Sequence, residues 1–147
     1  MRFDPVKPSP EPCNDADCLA LEALLTERLL EFNARATGYT DARPLGLRTR
    51  GESGELLAGC SGYTWGGCCV ITYVWVGEGH RGCGHGAALL RAAECEAARR
   101  GCGQVVVATH DFQAPGFYER MGYERKAIIH GMPKGHADII YAKPLAA

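Results

Sequence analysis

Three glycines stand at alternate positions ahead of an alanine-rich run, in Arg81-Gly82-Cys83-Gly84-His85-Gly86-Ala87-Ala88-Leu89-Leu90. If that run is a helix, its first turn leaves backbone N–H groups unpaired and presents the positive end of the helix dipole. Glycine lets those N–H groups come close to an anion. The stretch is therefore a cradle for a phosphate compound, with Arg81, Gly82, Cys83, Gly84, His85 and Gly86 as the residues that would hold it. It is not a P-loop, because no Gly-Lys-Ser/Thr follows. A dinucleotide loop fits part of the pattern, since Asp111 ends the next strand-like segment, where a ribose-binding carboxylate would sit. His80 and His85 flank the cradle and could touch phosphate or solvent, while His110 and Glu78 are the nearest groups suited to proton transfer. Cys83 sits where a helix N-terminus lowers thiol pKa, but it reads as a spacer.

These residues need elements to position them. Asn14 or Asp15 can cap a helix in which Leu21, Leu24, Leu25, Leu29 and Phe32 recur at helical spacing, ending near Gly38. Segments 44–50, 56–65 and 68–76 read as strands, the last two joined by the hairpin signal Gly66-Gly67. The loop follows, then a helix over 86–100 with Leu90, Ala93 and Ala97 on one face and Glu96 one turn from Arg100. "QVVVATH" (104–110) is a continuous apolar strand of the kind buried in a parallel pairing. A short helix opening at Pro115 and ending at Gly122 leads to two last strands. An edge strand within residues 1–13 is a further expectation. The order predicts an α+β fold with a mixed sheet in one domain over 1–147. An antiparallel meander before the loop, and too few residues after it, oppose a doubly wound dinucleotide fold.

The chain has 147 residues, 46% of them hydrophobic and 22% charged, which suits one domain with a real core. Its net charge is −1, giving no overall attraction to nucleic acid or membrane. No apolar run approaches the roughly 20 residues that span a bilayer. The opening "MRFDPVKPSPEP" is polar and proline-rich, unlike a secretory leader. The expectation is a cytoplasmic protein whose eight cysteines are free and mostly buried. No Cys-x-x-Cys occurs, so no metal site is expected.

Arg81-x-x-Gly84-x-Gly86 between a strand and a helix resembles the acetyl-coenzyme A loop of the GNAT acetyltransferase superfamily. Ala114-x-x-x-Tyr118-x-x-x-Gly122-Tyr123 resembles that family's second signature, and the likeness covers about residues 15–145. It implies a mixed, mostly antiparallel sheet with a splayed parallel strand pair and flanking helices. It implies an N-acetyltransferase using acetyl-CoA as cosubstrate and no metal. The pyrophosphate would lie on Arg81 to Gly86. The pantetheine arm would run along Trp75 and Val76. The Val76 N–H would polarise the thioester carbonyl, and Tyr118 would protonate the departing thiolate. The acceptor would be a small-molecule or peptide amine, with Asp41, Tyr39 and Glu31 as candidate cation-attracting groups. Family members are often dimers, so a homodimer is admitted. A non-catalytic coenzyme A-binding module and an NAD-type domain stay open as alternatives.

Overall fold

The computed structural model describes residues 9–146. The chain divides into two compact units, 1–39 and 40–147. The first contains helix α1, Asp15–Thr37. Asn14 is its N-cap and accepts the N–H of Asp17 at 2.9 Å. Asp15 and Asp17 complement the positive end of the helix. Gly38 closes the helix in the left-handed conformation, donating to the carbonyl of Ala34. The expected edge strand falls mostly on residues outside the described ones.

The second unit is a six-stranded sheet. Its strands are β1 (Arg43–Arg50), β2 (Leu56–Trp65), β3 (Cys68–Val76), β4 (Gln104–His110), β5 (Glu124–His130) and β6 (Ala137–Pro144), in the spatial order β1-β2-β3-β4-β6-β5. Every neighbouring pair is antiparallel except β3 and β4. Gly66 and Gly67 both take positive φ in the β2–β3 hairpin, as a two-residue turn of that hand requires. The carboxylate of Asp41 accepts the N–H of Gly66 at 3.0 Å. Asp41 thus helps to hold the hairpin.

Helix α2, His85–Arg99, crosses from β3 to β4 and buries Leu89, Leu90, Ala93 and Ala97. Alanines on that stripe let the helix lie close to the sheet residues Leu45, Ala58, Cys69, Ile71, Val105 and Val107, which share its core. Arg100 bonds Glu96 at 2.8 Å and reaches the Pro44 carbonyl and the Thr64 hydroxyl, tying the end of α2 to β1 and β2. Helix α3, Pro115–Arg120, precedes β5 and begins at proline because the first turn needs no N–H there.

The thiols are free but not mostly buried. Cys60, Cys69 and Cys102 are buried, whereas Cys13, Cys18, Cys83 and Cys95 are exposed. The burial of Cys60 and Cys69 follows from the inward phase of β2 and β3. Cys95 lies off the Ala93/Ala97 stripe of α2, and Cys83 sits in the open loop. Burial raises the Cys69 thiol to about 11.

A half-buried polar knot fastens α2 to β6. Lys143 bonds both carboxylate oxygens of Glu94, at 3.0 and 2.9 Å. The Tyr123 hydroxyl donates to the same carboxylate at 3.0 Å, and Lys143 lies 5.5 Å from the Tyr123 ring centre. Lys143→Met leaves Glu94 with one donor. It is expected to lower stability by about 1–3 kcal/mol, a drop of several degrees in thermal midpoint. An unchanged midpoint in a melting experiment would show the knot to be idle.

Candidate active site

A β-bulge decides which side chains face the site. Along β2–β3, Ser61 is opposite Tyr73 but Gly62 is opposite Ile71, so Thr72 is the extra residue. The bulge reverses the alternation of β3. Cys69 and Ile71 point into the core, and beyond the bulge Val74 and Val76 do so, while Tyr73 (72% exposed) and Trp75 (49%) turn to the opposite face. Gly62 is required beside the bulge, because a Cβ there would lie 2.0 Å from the Val70 carbonyl oxygen.

The parallel pairing of β3 with β4 covers only Cys68–Ile71 against Gln104–Val107. Past that point the two strands splay. The Gly77 N–H donates to the Leu57 carbonyl at 2.9 Å. By the alternation of antiparallel pairs, Val76, opposite Ala58, turns its N–H and C=O away from β2 and towards the splay. The Val76 carbonyl accepts Nε of Arg81 at 3.2 Å, which pins the guanidinium over the strand end.

Beside this gap the chain makes a single 3-10 turn, Glu78–His80, then enters the glycine loop. Gly82 and Gly84 have φ of 73° and 85°, the left-handed region. Gly84 is the N-cap of α2, with no side chain capping the helix and no acidic residue in its first turn. The helix start is therefore open to an outside anion. At Gly86 a Cβ would lie 3.2 Å from the Phe117 ring, so the glycine lets α3 come up against the cradle.

The cradle, the splayed strands and α3 enclose a cavity of about 730 Å³. Of the residues picked out by sequence, Trp75, Val76, Arg81, Gly82, Gly84, His85, Gly86 and Tyr118 line it. The side chain of Cys83 is exposed and outside the lining; its thiol lies 3.6 Å from the Arg81 carbonyl. His80 also lines the cavity, with its ring 6.1 Å from that of His85.

Tyr118 is 5% exposed. Its ring stacks 5.9 Å from Tyr141 and meets Tyr123 edge-on at 5.8 Å. Those two neighbours have occupied hydroxyls: Tyr141 donates to Glu119 at 2.9 Å, and Tyr123 donates to Glu94. The Tyr118 hydroxyl has no hydrogen-bond partner among the described residues, yet it is not sealed off from solvent. Burial pushes its proton affinity up to about 12, and the Cys60 thiol nearby acts in the same direction. Tyr118 is thus a neutral donor with an uncommitted proton, held by its ring.

On the opposite face, His110 and Asp138 are register partners on β4 and β6. Their Nδ1 and Oδ1 atoms are 3.4 Å apart, and that nitrogen is buried without a hydrogen bond. Phe112 stacks on His110 at 5.2 Å and meets His136 edge-on at 4.8 Å, while His136 contacts Asp111 at 3.1 Å. Phe112 and Gln113 line the cavity, whereas His110, His136 and Glu78 do not. Sequence reading missed Tyr73, Phe112, Gln113 and Phe117. Only the "APGFYER" signature could have pointed to Phe117, and no local signal marks the others.

A sheet split between two parallel strands, with an uncapped helix start beside the split and a tyrosine lining it, is the arrangement to set against known proteins. The chain belongs to the GNAT acetyltransferase family, whose model, described as "Acetyltransferase (GNAT) family", matches residues 13–123. It is 39% identical over 115 residues to the blasticidin-S acetyltransferase of Streptomyces morookaense, covering 76% of this chain and 85% of that protein. Its fold matches the crystal structure of an acetyltransferase from Bacillus cereus with a TM-score of 0.80, at 24% identity, over 94% of this chain and 98% of the other. It also matches an aminoglycoside 6'-N-acetyltransferase complexed with coenzyme A, with a TM-score of 0.63, at 17% identity, over 71% and 74% of the two chains. The NAD-type alternative falls with the family and with the sheet, which is not doubly wound. No described helix is long and apolar enough to cross a membrane.

Proposed function

We propose that the protein moves the acetyl group of acetyl-coenzyme A to the amine of a small-molecule or peptide acceptor by direct attack. The observation that carries this reading is the uncommitted Tyr118 hydroxyl lining the same cavity as the Val76 backbone and the open start of α2. The family match spans both compact units, which supports reading them as one acetyltransferase domain.

The residues present fit the coenzyme. The α2 start and Arg81 would hold its pyrophosphate, with Gly82 and Gly84 supplying the backbone shape. The splay leaves the inner edge of β3 free for the pantetheine arm, in the manner of an added strand. When bound, the coenzyme supplies an activated thioester carbonyl. The Val76 N–H stabilises negative charge developing on that carbonyl oxygen. The amine lone pair forms the new C–N bond, the C–S bond breaks, and Tyr118 gives its proton to the thiolate. Since neither Glu78 nor His110 lines the cavity, the amine proton leaves to water at the mouth.

A relative named for blasticidin-S and a structural neighbour named for aminoglycosides support a small-molecule acceptor. The alternative, a coenzyme-binding module without turnover, separates by one assay. Thiol release from acetyl-CoA is expected with at least some members of an amine panel. Tight coenzyme binding with no thiol released by any amine would favour the non-catalytic module.

A further inference from the structure

On the face carrying Tyr73 and Trp75, a shallow, open groove lies across β1, β2 and β3. Tyr73 and Trp75 line both this groove and the cavity at the splay, so these two residues form the boundary that the spaces share. Register aligns the groove. Arg48 is opposite Gly59, and Gly59 is opposite Trp75, which puts an arginine and an indole on either side of a glycine. Their Cα atoms are about 10 Å apart, two strand spacings. Arg50 lies two residues along β1 on the same face, and Ser61 is opposite Tyr73. No acidic residue lines the groove.

Gly59 carries independent weight. Glycine weakens a strand interior and often marks close approach of a ligand. Its φ is not in the left-handed region, and a Cβ there would make only ordinary contacts, 3.4 Å to the Leu47 carbonyl oxygen and 3.8 Å to Leu56. Neither backbone conformation nor packing calls for glycine at this position, unlike Gly62. The missing side chain instead opens the floor between two cations and two aromatic rings. The Trp75 ring lies close over Gly77, where a Cβ would come within 3.3 Å of it.

We infer that this groove is the acceptor's binding site for its non-reacting end, and that the acceptor is an amine carrying a flat ring and an anionic group, a carboxylate or a phosphate. The inference rests on the acetyltransferase reading above. The ring lies over Gly59 against Trp75 and Tyr73, the anion meets Arg48 and Arg50, and the amine reaches into the splay.

The test uses the full chain, acetyl-CoA and three matched probes: 4-(aminomethyl)benzoate, 4-(aminomethyl)benzamide and 4-(aminomethyl)benzamidine. The phosphonate analogue distinguishes the two anions. The kcat/KM for the benzoate or the phosphonate is expected to exceed that for the amide by about tenfold or more, with the amidine lowest. In Arg48→Glu and Arg50→Glu this order should reverse. Gly59→Val should raise KM for the anionic probe at least fivefold while the thermal midpoint holds or rises, since valine is the better strand former. Acetylation of all three probes without preference, or a preference that survives both charge reversals, would overturn this inference alone. No acetylation of these probes, while another amine of the panel is acetylated, would also overturn this inference alone; coenzyme binding with no thiol released by any amine would overturn it together with the transferase reading.

Discussion

Tyr118→Phe is expected to lower kcat by roughly a hundredfold or more, because a positioned general acid contributes about 10²–10⁴. The dissociation constant of coenzyme A should stay within about threefold, since the ring that packs against Tyr123 and Tyr141 is retained. The thermal midpoint should also hold, because the lost hydroxyl has no partner among the described residues. Single-turnover kinetics and calorimetry on the same preparation separate these effects. An unchanged kcat would remove Tyr118 from the chemistry, and a falling midpoint would reveal a structural role. The pH dependence follows from burial. A free tyrosine loses its proton near 10, and Tyr118 keeps it to about 12. The acid is therefore intact throughout the neutral range, and alkaline loss of kcat attributable to it should have its midpoint near pH 12. Stability moves in the corresponding direction. The raised affinity has no effect below about pH 10 and destabilises the fold above it, because the unfolded chain releases that proton first.

At the other end of the cavity, Gly84→Asp should weaken coenzyme A binding by roughly a hundredfold. The change has two parts, and Gly84→Asn separates them. Gly84 has φ 85°, and a Cβ there meets nothing within 4 Å, so strain is the only steric cost. Asparagine and aspartate are the side chains best suited to that conformation. The asparagine variant should therefore lose only a few fold. The aspartate variant adds a negative charge beside the pyrophosphate and opposes the dipole of α2. Even near a surface that repulsion amounts to about 2–4 kcal/mol at contact distances. Raising the salt concentration should narrow the gap between the two variants. Equal dissociation constants for wild type and Gly84→Asp would refute the placement of the pyrophosphate.

Much of this was legible because it depends on local chemistry. Asn14 and Gly38 bound α1 through their own side chain and backbone preferences. Gly66-Gly67 is a hairpin at any location, and Gly82 and Gly84 announce an open helix start through φ values that few other residues take. Even Tyr118 stands out once its spacing from the cradle is matched to a family pattern. Burial of the thiols was not legible in this way. Eight cysteines in apolar surroundings suggested burial, yet Cys83 and Cys95 are exposed, because burial is decided by which face of an element meets the core.

The sequence by itself determined the elements, their order and the glycine loop at the start of α2, since capping, turn chemistry and hydrophobic period act over a few residues. Only the tertiary structure decided how the site is aimed. The extra residue at Thr72 is unremarkable in "CCVITYVWV" and becomes a bulge only when β2 is laid beside it. That one offset turns Tyr73 and Trp75 away from the core and Val76 towards the splay. Likewise, three tyrosines of equal intrinsic chemistry are told apart only when Glu94 and Glu119 arrive from elsewhere in the fold and take the hydroxyls of Tyr123 and Tyr141. Register and hydrogen-bond partners are relations between distant segments, and no single segment carries them.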